Sequence, residues 1–222
     1  MPIGFALTVL QAGQAIAGKS PLVPVAIDPE PSLSVPARPG PGMFLVARRS
    51  LGGTYFGKTV VYLVEHDDDG TLGLIVNRSS EIRLSDALPD LEKENATGHR
   101  LYYGGPVEPA MIMMLLRGAS AARGTAHVAG SVYVATDHRA LGAAIAAHKS
   151  ASEMRLYIGY SGWSPGQLDF ELQRGSWHVV PASADDVFSS ESDSLWQRLI
   201  ERLEPEGIEV RDEGRVIPAA AA

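Results

Sequence analysis

The fold of this chain is decided by residues 59–77, which read TVVYLVEHDDDGTLGLIVN. Two runs of β-branched and apolar residues flank an Asp-Gly step, and this arrangement is a strong signal for a β-hairpin. In the first run, Val60 and Tyr62 lie on one face, and Val61 and Leu63 lie on the other. A strand that is apolar on both faces is covered on both. We therefore predict a hairpin at the centre of a sheet.

The composition of the 222 residues excludes several classes of protein. There is no cysteine, so a disulfide framework, a thiolate zinc site and a thiol redox centre are excluded. The 19 Lys and Arg residues against 26 Asp and Glu residues give a formal charge of −7, and an acidic chain repels the phosphate backbone of nucleic acids. No apolar run reaches the roughly 18 residues that a membrane span needs. Since 45% of the residues are hydrophobic, we expect a folded domain with a substantial core.

The chain divides into a leader, a main domain and a tail. Eight of the fifteen prolines fall within residues 1–41, and each removes a backbone donor and restricts the residue before it. The charges of this segment cancel, so the whole −7 belongs to the rest of the chain. We predict a disordered leader over 1–41, one domain over 42–208 and a C-terminal tail over 209–222. The leader has two interpretations: a signal peptide that lacks the basic start, or a start codon upstream of a domain that opens at Met43.

Further strands and two helices follow from the apolar patterns. Strands are predicted at 44–47, 59–65, 71–77, 101–104, 112–117, 131–136, 155–159 and 177–180. Asp137 is a candidate N-cap for a helix over 138–149. Ser190 or Ser192 is expected to start a last helix that ends near Gly207. Because strands and helices do not alternate strictly, the pattern favours an α+β fold with a mixed or antiparallel sheet over a doubly wound parallel one.

Residues 13–20, GQAIAGKS, match the pattern of a phosphate-binding P-loop. A working P-loop opens a helix whose first amides face the phosphates. Pro24 would lie inside that helix at a cost of about 3 kcal/mol. In addition, no strand that ends in aspartate follows at a usable distance. The match therefore gives little support for nucleotide hydrolysis.

The segment 159–168, GYSGWSPGQL, has two interpretations. Its first half approaches the G-x-S-x-G elbow of serine hydrolases, but Trp163 stands where the last glycine is needed. Its second half predicts a helix start, with Ser164 as N-cap, Pro165 at the first helical position and Gln167 closing a capping box. An anion site at this helix start is disfavoured because Pro165 removes one backbone donor. We therefore interpret the segment as structural.

The turn of the central hairpin carries three aspartates, 67–69, next to His66. When the turn is aligned with an EF-hand loop, apolar Val76 occupies the position of the bidentate glutamate. The aspartates therefore indicate a charged turn and no calcium site. We expect His66 to be partly buried and to face Gly73 or its neighbour across the hairpin, in preference to a catalytic role.

Several motifs occur together in this chain. They are GMFLVA at 42–47, Phe56, EHDDDG at 65–70, GLIVN at 73–77, YGGPV at 103–107, GYSGWSPGQL at 159–168, Glu171, Trp177 and Trp196. In combination they resemble the YqgE/AlgH family, whose members are often labelled transcriptional regulators, over about residues 42–203. The resemblance implies a single α+β domain with a branched or barrel-like sheet surrounded by helices, in a cytoplasmic bacterial protein. It supplies no catalytic residue, metal or cofactor, and we expect none.

Three functions are compatible with these observations. The first is a non-enzymatic regulatory or protein-interaction domain that acts through a protein partner, without direct contact to nucleic acid or membrane. The second is a small-molecule-binding protein or an unrecognised enzyme. Its pocket would be lined by the polar or permissive residues of the shared motifs: His66, Asn77, Gly104, Gly105, Pro106, Trp163 and Gln167. The third is a direct DNA-binding transcriptional regulator, which requires a basic face and an affinity that falls steeply with salt. The acidic charge and the lack of a convincing catalytic set favour the first.

Overall fold

The structure, a computed structural model, describes residues 37–87, 99–118, 123–147, 150–205, 208–211 and 215–218. These residues contain twelve strands and five α-helices. The strands are β1 (Met43–Ala47), β2 (Val60–Asp67), β3 (Gly70–Ile75), β4 (Ser79–Arg83), β5 (Arg100–Tyr103), β6 (Val107–Arg117), β7 (Ala126–Ala129), β8 (Val132–Ala135), β9 (Met154–Trp163), β10 (Trp177–Pro181), β11 (Ile208–Arg211) and β12 (Arg215–Pro218). The helices are α1 (Leu84–Ala87), α2 (His138–Ala146), α3 (Gln167–Gln173), α4 (Ala184–Val187) and α5 (Leu195–Leu203). Most of the predicted leader, the P-loop-like motif and the predicted helix end at 148–149 lie outside the described residues.

The predicted hairpin is confirmed, because β2 and β3 pair antiparallel around the turn Asp67–Gly70. Strand β2 lies between β1 and β3, and its first five residues are buried. A β-bulge after Leu63 shifts the register. As a result His66 lies opposite Thr71, and the expectation that it faces Gly73 or its neighbour is wrong.

Strand β9 joins two parts of the sheet. Neighbouring strands follow the order β10-β1-β2-β3-β9-β6-β8-β7, and β5, which carries β4 on its outer side, also pairs with β9. The first half of β9 pairs in parallel with β5, with Leu101 opposite Leu156. The second half pairs antiparallel with β3, with Gly73 opposite Ser161. The sheet is therefore mixed and branched, and it curls into a half-barrel within an α+β domain.

Glycines allow β3, β5 and β9 to meet at the branch. Gly104 follows β5 and binds both other strands, since its N–H donates to β9 and its carbonyl oxygen accepts from β3, each at 2.9 Å. A Cβ at Gly104 would lie 2.2 Å from the carbonyl oxygen of Gly159, and one at Gly105 would lie 2.2 Å from the carbonyl of Tyr160. Gly159 itself has φ +63°, a conformation that residues with a Cβ rarely adopt. The YGGPV motif is thus a site of close backbone approach.

The sheet separates two hydrophobic cores. Alternate residues of β9 serve both, with Tyr157 in the first core and Leu156 in the second. Helices α3, α4 and α5 pack on the first core, where Leu168 and Ile200 are buried. Helix α2 covers the second core through residues such as Ile145. In β2, all five residues Val60–Val64 are buried, so this strand is covered on both faces, as its apolar pattern predicted.

The helices cover less of the sheet than the expectation of a surrounding helical layer implies. In the described part of the chain, α1 and α4 have four residues each, and α2 and α5 have nine. Asp137 caps α2 as predicted and accepts a backbone N–H at 2.9 Å. Helix α5 begins at Leu195 after a 3-10 turn over Ser192–Ser194, so the predicted start is too early. No helix among the described residues has the length and apolar character that crossing a membrane requires.

All eight predicted strands are present, and four further strands join them. Two of these, β4 and β7, are short strands at the edges of the sheet and lack an alternating apolar pattern. The other two, β11 and β12, pair only with each other and occupy part of the predicted C-terminal tail. Strand β9 is longer than predicted, because it continues through Gly159 to Trp163.

Replacing Gly104 by alanine tests the close approach at the branch. The new methyl group would meet a backbone carbonyl at 2.2 Å, which neither strand can move to avoid without losing hydrogen bonds. We expect the free energy of unfolding to fall by about 3 kcal/mol or more, as measured by urea denaturation. Gly40→Ala is the matched control, because a Cβ at Gly40 has no atom within 4 Å. Equal effects of about 0.5 kcal/mol in the two variants would show that the crossing is not constrained.

Candidate functional site

The seven residues that the sequence suggested as a pocket do not line one common cavity among the described residues. His66 and the residues on both sides of Gln167 line one surface depression. Gly104, Gly105 and Pro106 lie at the branch of the sheet, where the two glycines are fully occupied by backbone contacts. Asn77 and Trp163 are held by hydrogen bonds within the protein. The pocket as a whole stays a prediction.

The depression lies between the turn of the β2–β3 hairpin and the start of α3, and its volume is about 380 Å³. Its lining consists of His66, Asp67, Asp68, Gly70, Thr71, Gly166, Leu168 and Asp169. The imidazole Nδ1 of His66 lies 2.7 Å from the hydroxyl oxygen of Thr71, which fixes the orientation of the ring. Three carboxylates make the depression acidic, so it favours cations and disfavours phosphates. Nowhere among the described residues do three or more His, Asp or Glu side chains come together as a metal site.

Helix α3 begins differently from the prediction. Its N-cap is Gly166, which adopts a left-handed conformation with φ +74°, and the first helical residue is Gln167. The predicted N-cap, Ser164, makes no side-chain cap, but its backbone N–H donates to the amide oxygen of Gln167 at 3.1 Å. One half of the predicted capping box is therefore present. The Pro165–Gly166 turn delays the helix by two residues because glycine accepts the positive φ that the turn needs.

Glu171 on α3 organises the aromatic residues beside the depression. Its Oε2 accepts the indole N–H of Trp163 at 3.0 Å and that of Trp177 at 2.8 Å. Its Oε1 accepts from the side-chain amide of Gln167 at 3.1 Å. The ring of Phe56 stacks on Trp163, with 5.9 Å between centroids. One carboxylate thus ties α3 to β9 and β10, and Trp163 and Gln167 act as structural partners of it.

Ser161 and Asn77 are also engaged inside the protein. Ser161 lies in β9, is fully buried and donates its hydroxyl to the carbonyl oxygen of Gly104 at 3.0 Å. It is no exposed nucleophile, because the segment that approached an elbow motif is strand and not turn. Asn77 accepts the N–H of Val60 at 2.7 Å and donates to the carbonyl oxygen of Lys58 at 2.9 Å. Asn77 therefore holds the start of β2 against the end of β3.

One ionisable cluster was missed by the sequence analysis. The imidazole of His178 on β10 lies 2.8 Å from the carboxylate of Glu204, the C-cap residue of α5. The guanidinium of Arg49 lies 3.7 Å from the other oxygen of the same carboxylate. Burial lowers the pKa of His178, the bond to Glu204 opposes this effect, and the positive charge of Arg48 adds to it. These residues are far apart in sequence, so no local pattern could have grouped them.

The comparison with known proteins identifies the family. A model of the AlgH-like family, DUF179, matches residues 44–207. This chain belongs to the AlgH-like family. This match confirms the resemblance to the YqgE/AlgH family that the sequence motifs indicated. The match spans every element from β1 to α5 apart from Met43, the first residue of β1.

Relatives of this AlgH-like domain occur in several bacteria under the name UPF0301 protein. The Mycobacterium tuberculosis (strain ATCC 25177 / H37Ra) protein is 36% identical over 184 residues, which cover 79% of this chain and 88% of that protein. The Rhodococcus opacus protein is 36% identical over 170 residues, covering 73% and 82%. The Chlamydia caviae protein is 34% identical over 162 residues, covering 73% and 85%.

Two solved structures have the fold of this AlgH-like domain. The solution structure of the AlgH protein from Pseudomonas aeruginosa superposes with a TM-score of 0.63 at 28% identity, covering 76% of this chain and 92% of that one. The crystal structure of a Corynebacterium diphtheriae protein gives a TM-score of 0.63 at 26% identity, covering 77% and 90%.

Removing the Glu171 carboxylate tests its role in the AlgH-like domain. Glu171→Ala leaves two buried indole N–H groups without their acceptor, at about 1–3 kcal/mol each. We expect the free energy of unfolding to fall by about 2–4 kcal/mol in urea denaturation followed by tryptophan fluorescence. Gln173→Ala, at an exposed position on the same helix, is the control and is expected to change it by less than about 0.5 kcal/mol. Similar losses in both variants would contradict this assignment.

The pKa of His178 predicts how the stability of the AlgH-like domain depends on pH. The unfolded chain protonates this histidine near pH 6.5, whereas the folded chain does so only at lower pH, because burial lowers the folded-state pKa. The free energy of unfolding should therefore decrease as the pH falls through 6.5 towards the folded-state pKa. In the His178→Gln variant, the free energy of unfolding should decrease less over the same pH range. His99, whose pKa is also lowered by burial, leaves a residual slope.

The measurement is urea denaturation between about pH 7.5 and about pH 5, combined with NMR titration of the histidine rings. Glu204→Gln provides an internal check, because loss of the carboxylate should lower the pKa of His178 further. The same pH slope in the wild type and in His178→Gln would show that His178 does not contribute.

Proposed function

We propose that this AlgH-like domain is a non-enzymatic protein-interaction domain with a regulatory role, and that it binds an acidic segment of a partner protein. The polar side chains that could have formed a catalytic set support this proposal, because they already have partners in the protein. Ser161, Asn77 and Glu171 bind backbone or indole groups that hold the strands and α3 together. Chemistry at any of these groups would require breaking the contacts that position the fold.

Exposed apolar side chains around β4 and β5 are the observation that carries the proposal. Tyr55 is 47% exposed, Ile82 is 37% exposed and Tyr103 is 38% exposed. Arg78 connects two of them: its guanidinium lies over the Tyr55 ring at 5.0 Å, and its carbonyl oxygen accepts the N–H of Tyr103 at 2.9 Å. Large apolar side chains that are grouped at a surface mark sites of interaction. Tyrosine and arginine are also the residues that contribute most to such interfaces.

The charges at the same place define the chemistry of the partner. Arg83 of β4 lies directly opposite Arg100 of β5, and both side chains are exposed. Like charges directly opposite each other across strands are destabilising. Within the described part of the chain no ion pair neutralises either guanidinium. A carboxylate of a partner would relieve this repulsion through charge-assisted hydrogen bonds.

We name this region, at the edge formed by β4 and β5, the arginine–tyrosine surface, and its members are Tyr55, Arg78, Ile82, Arg83, Arg100 and Tyr103. Because side chains alternate along a strand, Arg100 and Tyr103 lie on opposite faces of β5. It combines apolar and positively charged groups in a chain whose net charge is −7. A segment with alternating acidic and apolar residues is complementary to it in both respects. Phosphate backbones are a poorer match, because the acidic remainder of the chain repels them.

Binding of short synthetic peptides tests this proposal. The probe is a fluorescein-labelled peptide of alternating glutamate and leucine, and the comparison is the same peptide with lysine in place of glutamate. We expect the glutamate peptide to bind in fluorescence anisotropy, and Arg83→Glu combined with Arg100→Glu to weaken it at least about tenfold, which corresponds to about 1.4 kcal/mol. Phe170→Ser removes an exposed aromatic side chain on α3 and should leave binding unchanged.

Three outcomes would overturn the proposal. The first is equal affinity for the glutamate and lysine peptides. The second is salt-sensitive binding of duplex DNA that the two arginine substitutions abolish. The third is self-association of the chain that these substitutions abolish, since a second copy would then cover the surface.

A further inference from the structure

A positive charge is buried inside the half-barrel at the start of β9. Arg155 is only 3% exposed. Its terminal N–H groups donate to the carbonyl oxygens of Val76, at 3.4 Å, and of Ser189. The guanidinium also lies over the ring of Tyr102, 4.6 Å from the centroid. None of these contacts supplies a negative charge, and no carboxylate of the described residues pairs with Arg155.

Three polar atoms in this interior lack a hydrogen-bond partner of normal geometry among the described residues. They are the Nε of Arg155 and the hydroxyl oxygens of Tyr157 and Tyr62. Tyr157 is two residues beyond Arg155 in β9, so both side chains point to the same face of the sheet. Tyr62 reaches the same core from β2. Both tyrosines are at most 1% exposed.

The electrostatics link these groups. The pKa of Tyr157 is raised mainly by burial. It is lowered in part by the neighbouring charge of Arg155 and by a weak side-chain hydrogen bond with Arg155, and raised in part by Tyr102 and Tyr62. The pKa of Tyr62 is raised by burial as well. Both hydroxyls are therefore protonated at neutral pH, so both are able to donate a hydrogen bond.

An uncompensated guanidinium is unfavourable in a protein interior, where charges are paired. Unsatisfied buried donors are unfavourable for the same reason, since they have lost their hydrogen bonds to water. One guanidinium and two phenol hydroxyls form a set of donors around one positive charge. A planar carboxylate or a phosphate satisfies such a set, because each of its oxygens accepts several hydrogen bonds and its charge pairs with arginine.

We infer that the interior of the half-barrel contains a binding site for a small oxyanion, a carboxylate or a phosphate, held by Arg155, Tyr157 and Tyr62. Ser189 and Tyr102 both contact the guanidinium and are partly exposed, so we place the entry of the anion beside the segment that follows α4. This site lies in the core and uses no residue of the arginine–tyrosine surface. It therefore does not depend on the proposed protein partner.

Stability measurements in defined anions test the inference on the full chain. Urea denaturation is followed in sodium phosphate and in sodium acetate, with ionic strength held constant by sodium chloride. In the wild type we expect the unfolding midpoint to rise with the logarithm of the concentration of at least one oxyanion, as ligand binding to the folded state requires. Phosphate also stabilises proteins generally by exclusion from their surface, so the informative quantity is the difference between variants.

Tyr157→Phe and Tyr62→Phe are the decisive variants. Each removes a hydroxyl that makes no hydrogen bond of normal geometry in the described chain, so each should fold, while the anion concentration needed for half of the shift should rise at least about tenfold. Arg155→Met should abolish the shift, and Arg139→Met, at an exposed position on α2, should retain it. A midpoint that is the same in phosphate, acetate and chloride would overturn the inference. So would tyrosine variants that respond like the wild type.

Discussion

The backbone crossing at Gly104 and Gly105 against Gly159 and Tyr160 is the contact on which the rest of the structure depends. Strand β9 exchanges one neighbour, β5, for another, β3, at this point. The exchange requires the end of β5 to lie against β9 more closely than any Cβ permits, since a methyl group at either Gly104 or Gly105 would lie 2.2 Å from a backbone carbonyl. Because of this close backbone approach, one curled sheet contributes side chains to two hydrophobic cores. The YGGPV motif therefore has a steric explanation that does not require a ligand.

The same crossing explains why residues of catalytic appearance are structural. The hydroxyl of Ser161 and the N–H of Ile75 both donate to the carbonyl oxygen of Gly104, so Ser161 completes the junction of three strands. Glu171 plays a comparable part on the outside, where one carboxylate binds two indoles and fixes α3. Polar residues at buried junctions satisfy backbone and indole groups that water cannot reach. Ser161 and Glu171 therefore have a structural explanation in the groups that they satisfy.

The distribution of charge is more informative than its sum. A net charge of −7 argues against contact with phosphate backbones, but it does not describe the local field. Arginines are grouped beside exposed tyrosines on β4 and β5, and a further arginine is enclosed in the interior of the half-barrel. Carboxylates, by contrast, surround the depression at the turn of the β2–β3 hairpin. Positive and negative groups are thus separated on this domain, so its surface regions differ in the charge of the ligand that each would favour.

The structural elements that follow from short-range sequence patterns were predictable. The apolar alternation of 59–77 predicted the central hairpin, and Asp137 predicted the start of α2. Predictions were wrong where a contact distant in sequence decides the conformation. The segment from Tyr160 to Trp163 resembles a turn in sequence, but β3 and β6 pair with it and keep it in the strand. Edge strand β4 was missed because most of its side chains are exposed and its residues show no apolar alternation.

By itself, the sequence determined the fold class, the central hairpin and, through its motifs, the AlgH-like family, because these follow from side-chain periodicity, turn chemistry and residue identity along the chain. The tertiary structure alone decided which of the seven pocket candidates lie together. It also placed His178 beside Glu204, and Arg155 beside Tyr157 in an interior without a compensating carboxylate among the described residues. The physical reason is that burial and electrostatic pairing depend on distances between strands, and the chain sets these distances only when the sheet closes around its branch point.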